Sequence, residues 1–250
     1  MDLKGKNVLI SGGSRRIGLA LAQAFAAQGA TIATTVRGGD ADRQQALDRL
    51  PKGSKAVSAD LSTQAGIDGA VPEAEEALGG TVDILVNNAA AFSFDRLESV
   101  TVADMEETLR VSLIAPVALT RDVTRHARSE AGLIINILDY KIHNPFPDFL
   151  SYTLAKYAMA GFTQVAARQL APQWRVCAIA PGYTLPGPDQ AEAEFLAGHD
   201  KTPLERGSSL HDITAAALYL AQADAVTAQV LTVDGGAHMR SQERDFLFGG

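Results

Sequence analysis

The sequence predicts an α/β fold, a doubly wound parallel sheet of about seven strands with helices on both faces. Two observations carry this. Short apolar, β-branched runs alternate with segments of helical spacing from one end of the chain to the other. Glycine or proline stops several of the helical segments, and no repeat, linker or low-complexity block interrupts the alternation. Strand–helix alternation calls for crossover connections, which are right-handed and put helices on both faces of a parallel sheet.

The elements follow in order. Asn7–Ser11 is an apolar run, and residues 17–28 have helical spacing with Gly29 as their stop. Thr31–Val36 is rich in β-branched residues, which favour strands. Residues 40–50 read as a helix ended by Pro51, residues 56–59 as a strand, and residues 63–78 as a helix ended by Gly79 and Gly80. Ile84–Asn87 is a strand. Residues 101–128 are helical in pattern, with Pro116 as a kink or break. A strand at 133–138, a long helix at 149–170, a strand at 175–179, a helix at 210–221 and a last strand at Val230–Val233 complete the alternation. The whole chain, 1–250, reads as one domain with a substrate loop at about 183–209, in which residues 191–196 have the pattern of a short helix.

Composition narrows the function. With 250 residues and 46% hydrophobic content, the chain buries a sizeable core without disulfide or metal staples. A net charge of −7 makes it a poor match for nucleic acid or an anionic membrane. Cys177 is the single cysteine, so no internal disulfide and no cysteine-based metal cluster is expected. No run approaches a membrane span and no apolar targeting stretch opens the chain, so the expectation is a cytoplasmic protein with a small-molecule substrate.

In folds of this class, ligands bind beyond the carboxyl ends of the strands. The first strand runs into Gly12-Gly13-Ser14-Arg15-Arg16-Ile17-Gly18 and then at once into a helix. Glycines permit close approach of a phosphate, and the helix N-terminus offers unpaired N–H groups. The second strand ends Thr34-Thr35-Val36-Arg37, with no acid to hold a ribose 2′-hydroxyl. Arg15 and Arg37 could instead reach a 2′-phosphate, which points to NADPH; the alternative is two solvated surface arginines. Tyr152 and Lys156 lie four apart and share a helix face. An ammonium beside a phenol is expected to favour the phenolate, below its ordinary value of about 10, and so to tune an acid–base residue.

These motifs, in this order, resemble the short-chain dehydrogenase/reductase family over nearly the whole chain, with its Rossmann-type fold. Further marks are Asp60-Leu61, Asn87-Asn88-Ala89-Ala90, Pro181-Gly182 and Val233-Asp234-Gly235-Gly236. The resemblance implies that Asp60 and Leu61 border the adenine, that Asn87 and Ala89 line the cofactor path with Pro181 and Gly182, and that Lys156 reaches the nicotinamide ribose. Two departures are informative. Where most of the family has a serine, thirteen residues before the tyrosine, this chain has Asp139, and the middle glycine of the loop is Arg16. Both departures resemble the pteridine reductase and dihydropteridine-type reductase branch, as does Phe92 beyond the Asn-Asn-Ala segment. That likeness implies a pterin stacked on Phe92, with Arg16 between cofactor phosphates and substrate and Asp139 and Tyr152 at the reacting atoms. A carboxylate beside the phenol opposes its ionisation and keeps Tyr152 a donor, which suits protonation of a ring nitrogen. Ala90 and Ser112 depart from the branch and family patterns.

The reading is therefore an NADPH-dependent reductase of a pterin-like ring C=N. The alternatives are a carbonyl reductase or alcohol dehydrogenase of the same fold, and a non-catalytic NADPH-binding sensor or scaffold. Tyr183 is a candidate for the substrate wall. The family implies a homotetramer, with the tail 240–250, which carries Phe246 and Phe248, expected at a subunit interface or over a neighbouring active site.

Overall fold

The computed structural model describes residues 1–126, 131–187, 190–240 and 243–245. The described strands are β1 (Asn7–Ser11), β2 (Thr31–Val36), β3 (Lys55–Ser58), β4 (Ile84–Asn87), β5 (Gly132–Ile137), β6 (Trp174–Pro181) and β7 (Val230–Val233). They form one sheet, all pairs parallel, in the order β3-β2-β1-β4-β5-β6-β7. The helices are α1 (Arg16–Ala27), α2 (Asp40–Leu47), α3 (Gln64–Leu78), α4 (Val102–Leu109), α5 (Ala115–His126), α6 (Leu150–Leu170), α7 (Glu192–Asp200) and α8 (Leu210–Gln222).

Alternating side chains feed two cores, one on each face. Ile84, Val86, Leu133 and Ile135 pack with Leu21 and Phe25 of α1 and Ile213 and Leu220 of α8. Leu85 and Ile134 point the other way, into Ile67 and Val71 of α3, Leu119 and Val123 of α5 and Ala166 of α6. The period of two along a strand and 3.6 along a helix makes this segregation obligatory once both faces are covered. Because β1 and β4 are neighbours while α1 and α5 cover opposite faces, a crevice opens between them at the carboxyl ends.

Apart from bounds that shift by one or two residues, the structure departs from the sequence reading in the following places. The helix expected at 40–50 ends at Leu47. The stretch expected at 101–128 splits into α4, a π-helical turn at Arg110–Ile114 and α5. Pro116 has no N–H to return to the Ser112 carbonyl, and the ladder widens just before it; residues 127 and 128 lie outside the described residues. The loop helix runs to Asp200 rather than 196, and Pro188 beside it is not described. Phe149 is not the first helical residue but the cap of α6, in the left-handed region at φ 62. The tail residues Phe246 and Phe248 also lie outside the described residues. Among the described residues, no helix is long and apolar enough to cross a membrane.

Candidate active site

A cleft of about 670 Å³ runs along the carboxyl ends of the strands. Its phosphate end is shaped by hydrogen bonds from behind. Thr34 Oγ1 accepts from Gly13 N–H at 2.5 Å and Thr35 Oγ1 from Gly12 N–H at 3.1 Å. Asn88 Nδ2 donates to the carbonyls of Ser11 (2.9 Å) and Gly12 (3.2 Å). Gly12 sits at φ 64, and a Cβ on Gly18 would lie 2.5 Å from the Gly12 carbonyl oxygen. Only glycine fits this cradle. Arg15, the N-cap of α1, makes no side-chain capping bond, so the first N–H groups of the helix are left for an anion. Arg16 takes a left-handed φ of 52, the conformation a glycine would adopt without strain. Its exposed guanidinium donates across the cleft mouth to the Pro186 carbonyl, at 3.1 and 3.2 Å. Ser14, Ile17 and Gly18 complete this end.

At the end of β2, Arg15 and Arg37 line the cleft as the sequence led us to expect, joined by Arg49, which it did not identify. The Asp60 carboxylate accepts from Ser62 N–H (2.9 Å) and Oγ (2.7 Å). The backbone bond from Ser62 is the main force holding its pKa below the ordinary value, with Arg37 adding a smaller pull. Leu61 is buried beside it. Asp42 lines this end as well, so the guanidinium groups act against two carboxylates. The arginine set and the glycine cradle fit a phosphorylated dinucleotide.

The opposite end holds the ionisable residues. The turn of α6 that carries Tyr152 is placed by Asp95, whose buried carboxylate accepts from Ser151 N–H and from Ser151 Oγ. An acid suits the partial positive charge there, and the left-handed Phe149 is held as its N–H donates to the Asp95 carbonyl at 3.0 Å. Tyr152 Oη donates to Asp139 Oδ2 at 3.1 Å. Lys156 Nζ, one turn on, donates to the Ile137 carbonyl at 2.6 Å. Burial first, then Asp139, pushes the Tyr152 phenol well above its ordinary value. This corrects the expectation that Lys156 lowers it, since the ammonium spends its hydrogen bond on a backbone carbonyl and lies beside the ring rather than at the oxygen. Burial lowers Lys156 to about 8, with Asp139 opposing. Burial raises Asp139, with Lys141 the strongest opposing influence.

Phe92 lies at this end, about half exposed, stacked on Phe149 at 4.1 Å between centroids and edge-on to Tyr152 at 4.8 Å. Ala89, Pro181, Gly182 and Tyr183 also line the cleft, with Tyr183 stacked on Phe195 of α7. One expected position does not. Asn87 is the last residue of β4, and its buried amide points away from the cleft to Asn136 Oδ1 (2.9 Å) and Thr120 Oγ1 (3.3 Å). The neighbouring Asn88 takes the cleft position, because strand parity turns adjacent side chains to opposite sides. Ser112 is buried, and its hydroxyl accepts from Ala91 N–H at 3.0 Å, so it steadies the Phe92 segment. No group of metal-binding side chains occurs among the described residues.

The chain is similar to known proteins over nearly its whole length. The model of a family described as enoyl-(acyl carrier protein) reductase matches residues 12–238. Among curated proteins, galactitol 2-dehydrogenase of Agrobacterium fabrum (strain C58) is 33% identical over 260 residues, covering 96% of this chain and all (100%) of that protein. Among solved structures, FolM alternative dihydrofolate reductase 1 from Brucella canis, complexed with NADP, is 31% identical with a TM-score of 0.90, covering 98% of each chain. The Brucella suis protein of the same description, also with NADP, is 32% identical with a TM-score of 0.89, covering 97% of this chain and 98% of that one.

Proposed function

The chain belongs to the short-chain dehydrogenase/reductase family, and from that premise we propose that it is an NADPH-dependent oxidoreductase that reduces a ring C=N of a pterin or dihydropterin. The observation that carries the reading is the Tyr152–Asp139 hydrogen bond of 3.1 Å, at a position where most of the family has a serine. The similarity to the two FolM alternative dihydrofolate reductase structures supports it. Arg15 and Arg37 would hold the 2′-phosphate, the loop from Gly12 to Gly18 would hold the pyrophosphate, and Asp60 and Leu61 would border the adenine. The chemistry that such a cofactor would supply here is hydride transfer. Phe92 stacks on the flat ring, Arg16 faces the substrate from the phosphate side and Tyr183 closes the wall. Tyr152, kept protonated by burial and Asp139, donates its proton to the ring nitrogen. A hydroxyl group in place of Asp139 would serve a developing alkoxide; a carboxylate favours a donor that stays neutral.

One observation favours a second reading. The curated relative reported above is named for oxidation of a sugar alcohol, and an alcohol or carbonyl substrate would use the same Tyr152 and Lys156. The two readings separate in one experiment. Purified protein with NADPH is offered a dihydropterin, dihydrofolate, and a panel of ketones and sugar-derived carbonyls. Pterin turnover is expected, and an Asp139→Ser variant should lose most of it. Turnover of carbonyls alone, unchanged or improved by Asp139→Ser, would favour the second reading, and NADPH binding without any turnover would mean a non-catalytic role.

A pH limb follows from Lys156. Its ammonium is held on the protonated side below about pH 8, so kcat/KM is expected to fall as pH rises through that value. The fold responds in the opposite sense. Between about 8 and the ordinary 10.5, the unfolded chain binds a proton that the folded one lacks, so this group's contribution to stability rises with pH. Asp139→Asn removes the acid that raises Lys156, so the kcat/KM limb should move to lower pH; a pH–rate profile that does not move would remove Lys156 as its source.

A further inference from the structure

A second buried cation stands beside the Tyr152–Asp139 unit. Lys141 lies in the short turn after β5, only 2% exposed, with its Nζ 2.5 Å from the carboxylate of Asp245, itself 3% exposed. The ammonium is enclosed by aromatic rings, 4.5 Å from the centroid of Phe146, 4.6 Å from Phe149, 5.6 Å from Phe92 and 5.9 Å from Tyr152. Its backbone N–H donates to Asp139 Oδ1 at 2.9 Å, on the oxygen that Tyr152 does not use. Asp245 reaches this place because the segment before it is clamped. The fully buried Asp148 accepts from Asp245 N–H at 2.9 Å and from Arg244 at 3.2 Å, and pairs with Arg96 at 3.4 Å.

A buried ammonium is costly unless paired, and a pair of buried charges is often no more stable than apolar side chains of the same volume. This one is placed where the Phe92–Phe149 stack, which meets Tyr152 through Phe92, approaches the turn that carries Asp139. We propose that Lys141 and Asp245 are a positioning pair for the proton-donating unit: Lys141 keeps Asp139 charged and seats the Phe92–Phe149 stack, whose Phe92 ring meets Tyr152 edge-on, while Asp245 sets how much of that positive charge Asp139 feels. The proposal rests on the reading of Tyr152 and Asp139 as the donor unit.

The charges around Asp139 fix the signs. Lys141 and Tyr140 face it from its own turn, and Tyr152 and Lys156 from α6. Asp245 acts from the C-terminal segment on Tyr152 and Tyr140, and Asp234 and Tyr183 act on Tyr140 from farther back. Removing the cation with Lys141→Met should raise the Asp139 midpoint. Removing the anion with Asp245→Asn leaves Lys141 unneutralised and should lower it. Each shift is expected to be about one pH unit, a tenfold change in the proton equilibrium. A purely structural pair would not move the two variants in opposite directions.

The test is a carboxyl titration of the full-length protein carrying ¹³C-labelled aspartate, read by NMR, with Asp139→Asn identifying the signal. Opposite shifts in the two variants, and a near-wild-type midpoint in Lys141→Arg, support the pair. The double variant Lys141→Met/Asp245→Leu leaves no orphaned charge and keeps the test readable where Lys141→Met fails to fold; its midpoint should lie above that of Asp245→Asn. Unmoved midpoints, or shifts of one sign, would overturn the proposal. The titration needs no substrate. Absent pterin turnover in the wild type would therefore sink the substrate reading alone, and unmoved midpoints with intact turnover would sink the pair alone.

Discussion

Replacing Tyr152 with phenylalanine is expected to lower kcat for pterin reduction by about 10²- to 10⁴-fold, the range contributed by a positioned proton donor. The change removes one oxygen, whose hydrogen bond goes to Asp139. The ring stays packed against Phe92, and the Asp139 carboxylate loses one donor, which costs the fold about 1.5–3 kcal/mol. NADPH affinity should be nearly unchanged, so the loss falls on turnover rather than on cofactor binding. Titration of NADPH by fluorescence beside steady-state kinetics reads both. A variant that retains turnover within about tenfold of wild type would remove Tyr152 as the donor.

The second large effect lies at the other end of the cleft. A Cβ at Gly18 would sit 2.5 Å from the Gly12 carbonyl, 2.7 Å from Asn88 Nδ2 and 2.9 Å from Gly13 Cα. Two of these neighbours are backbone, so the glycine loop itself must move. Overpacking of this kind costs about 1–3 kcal/mol, and if the cost falls on the bound form, Gly18→Ala weakens NADPH by roughly 10- to 100-fold. Gly39→Ala is the matched control, because a Cβ there meets nothing within 4 Å. Equal NADPH affinity in the two variants would show that the loop does not hold the cofactor as proposed.

Much of the scaffold was legible in the sequence because its signals are local. β-Branched runs, helical spacing and glycine stops mark each strand and most helices, and the seven described strands fall within three residues of their expected bounds at either end. The glycine loop, Asp60, Asp139, Tyr152 and Lys156 were legible for the same reason, since each sits at a set place relative to its own strand or helix. Phe149 shows where local reading stops. Helical spacing includes it, but the Asp95 carbonyl and the stack with Phe92 hold it outside the helix. Asn87 and Asn88 show a second limit: the motif named both, and only strand parity decided which one faces the cleft. Arg49 shows a third, because nothing in its own segment reveals that it lines the cofactor end.

The sequence by itself determined the class of fold, the family and the identity of the chemical groups, because short-range periodicity and motif spacing carry that information. Only the tertiary structure decided how those groups are charged and coupled. Lys156 turns to a carbonyl rather than to the phenol, so burial and Asp139 hold Tyr152 protonated. Asp245 meets Lys141 across about a hundred residues of chain, a contact that depends on where the folded chain returns. Burial and long-range pairing are properties of the packed molecule, and they set the pKa values on which the proposed chemistry turns.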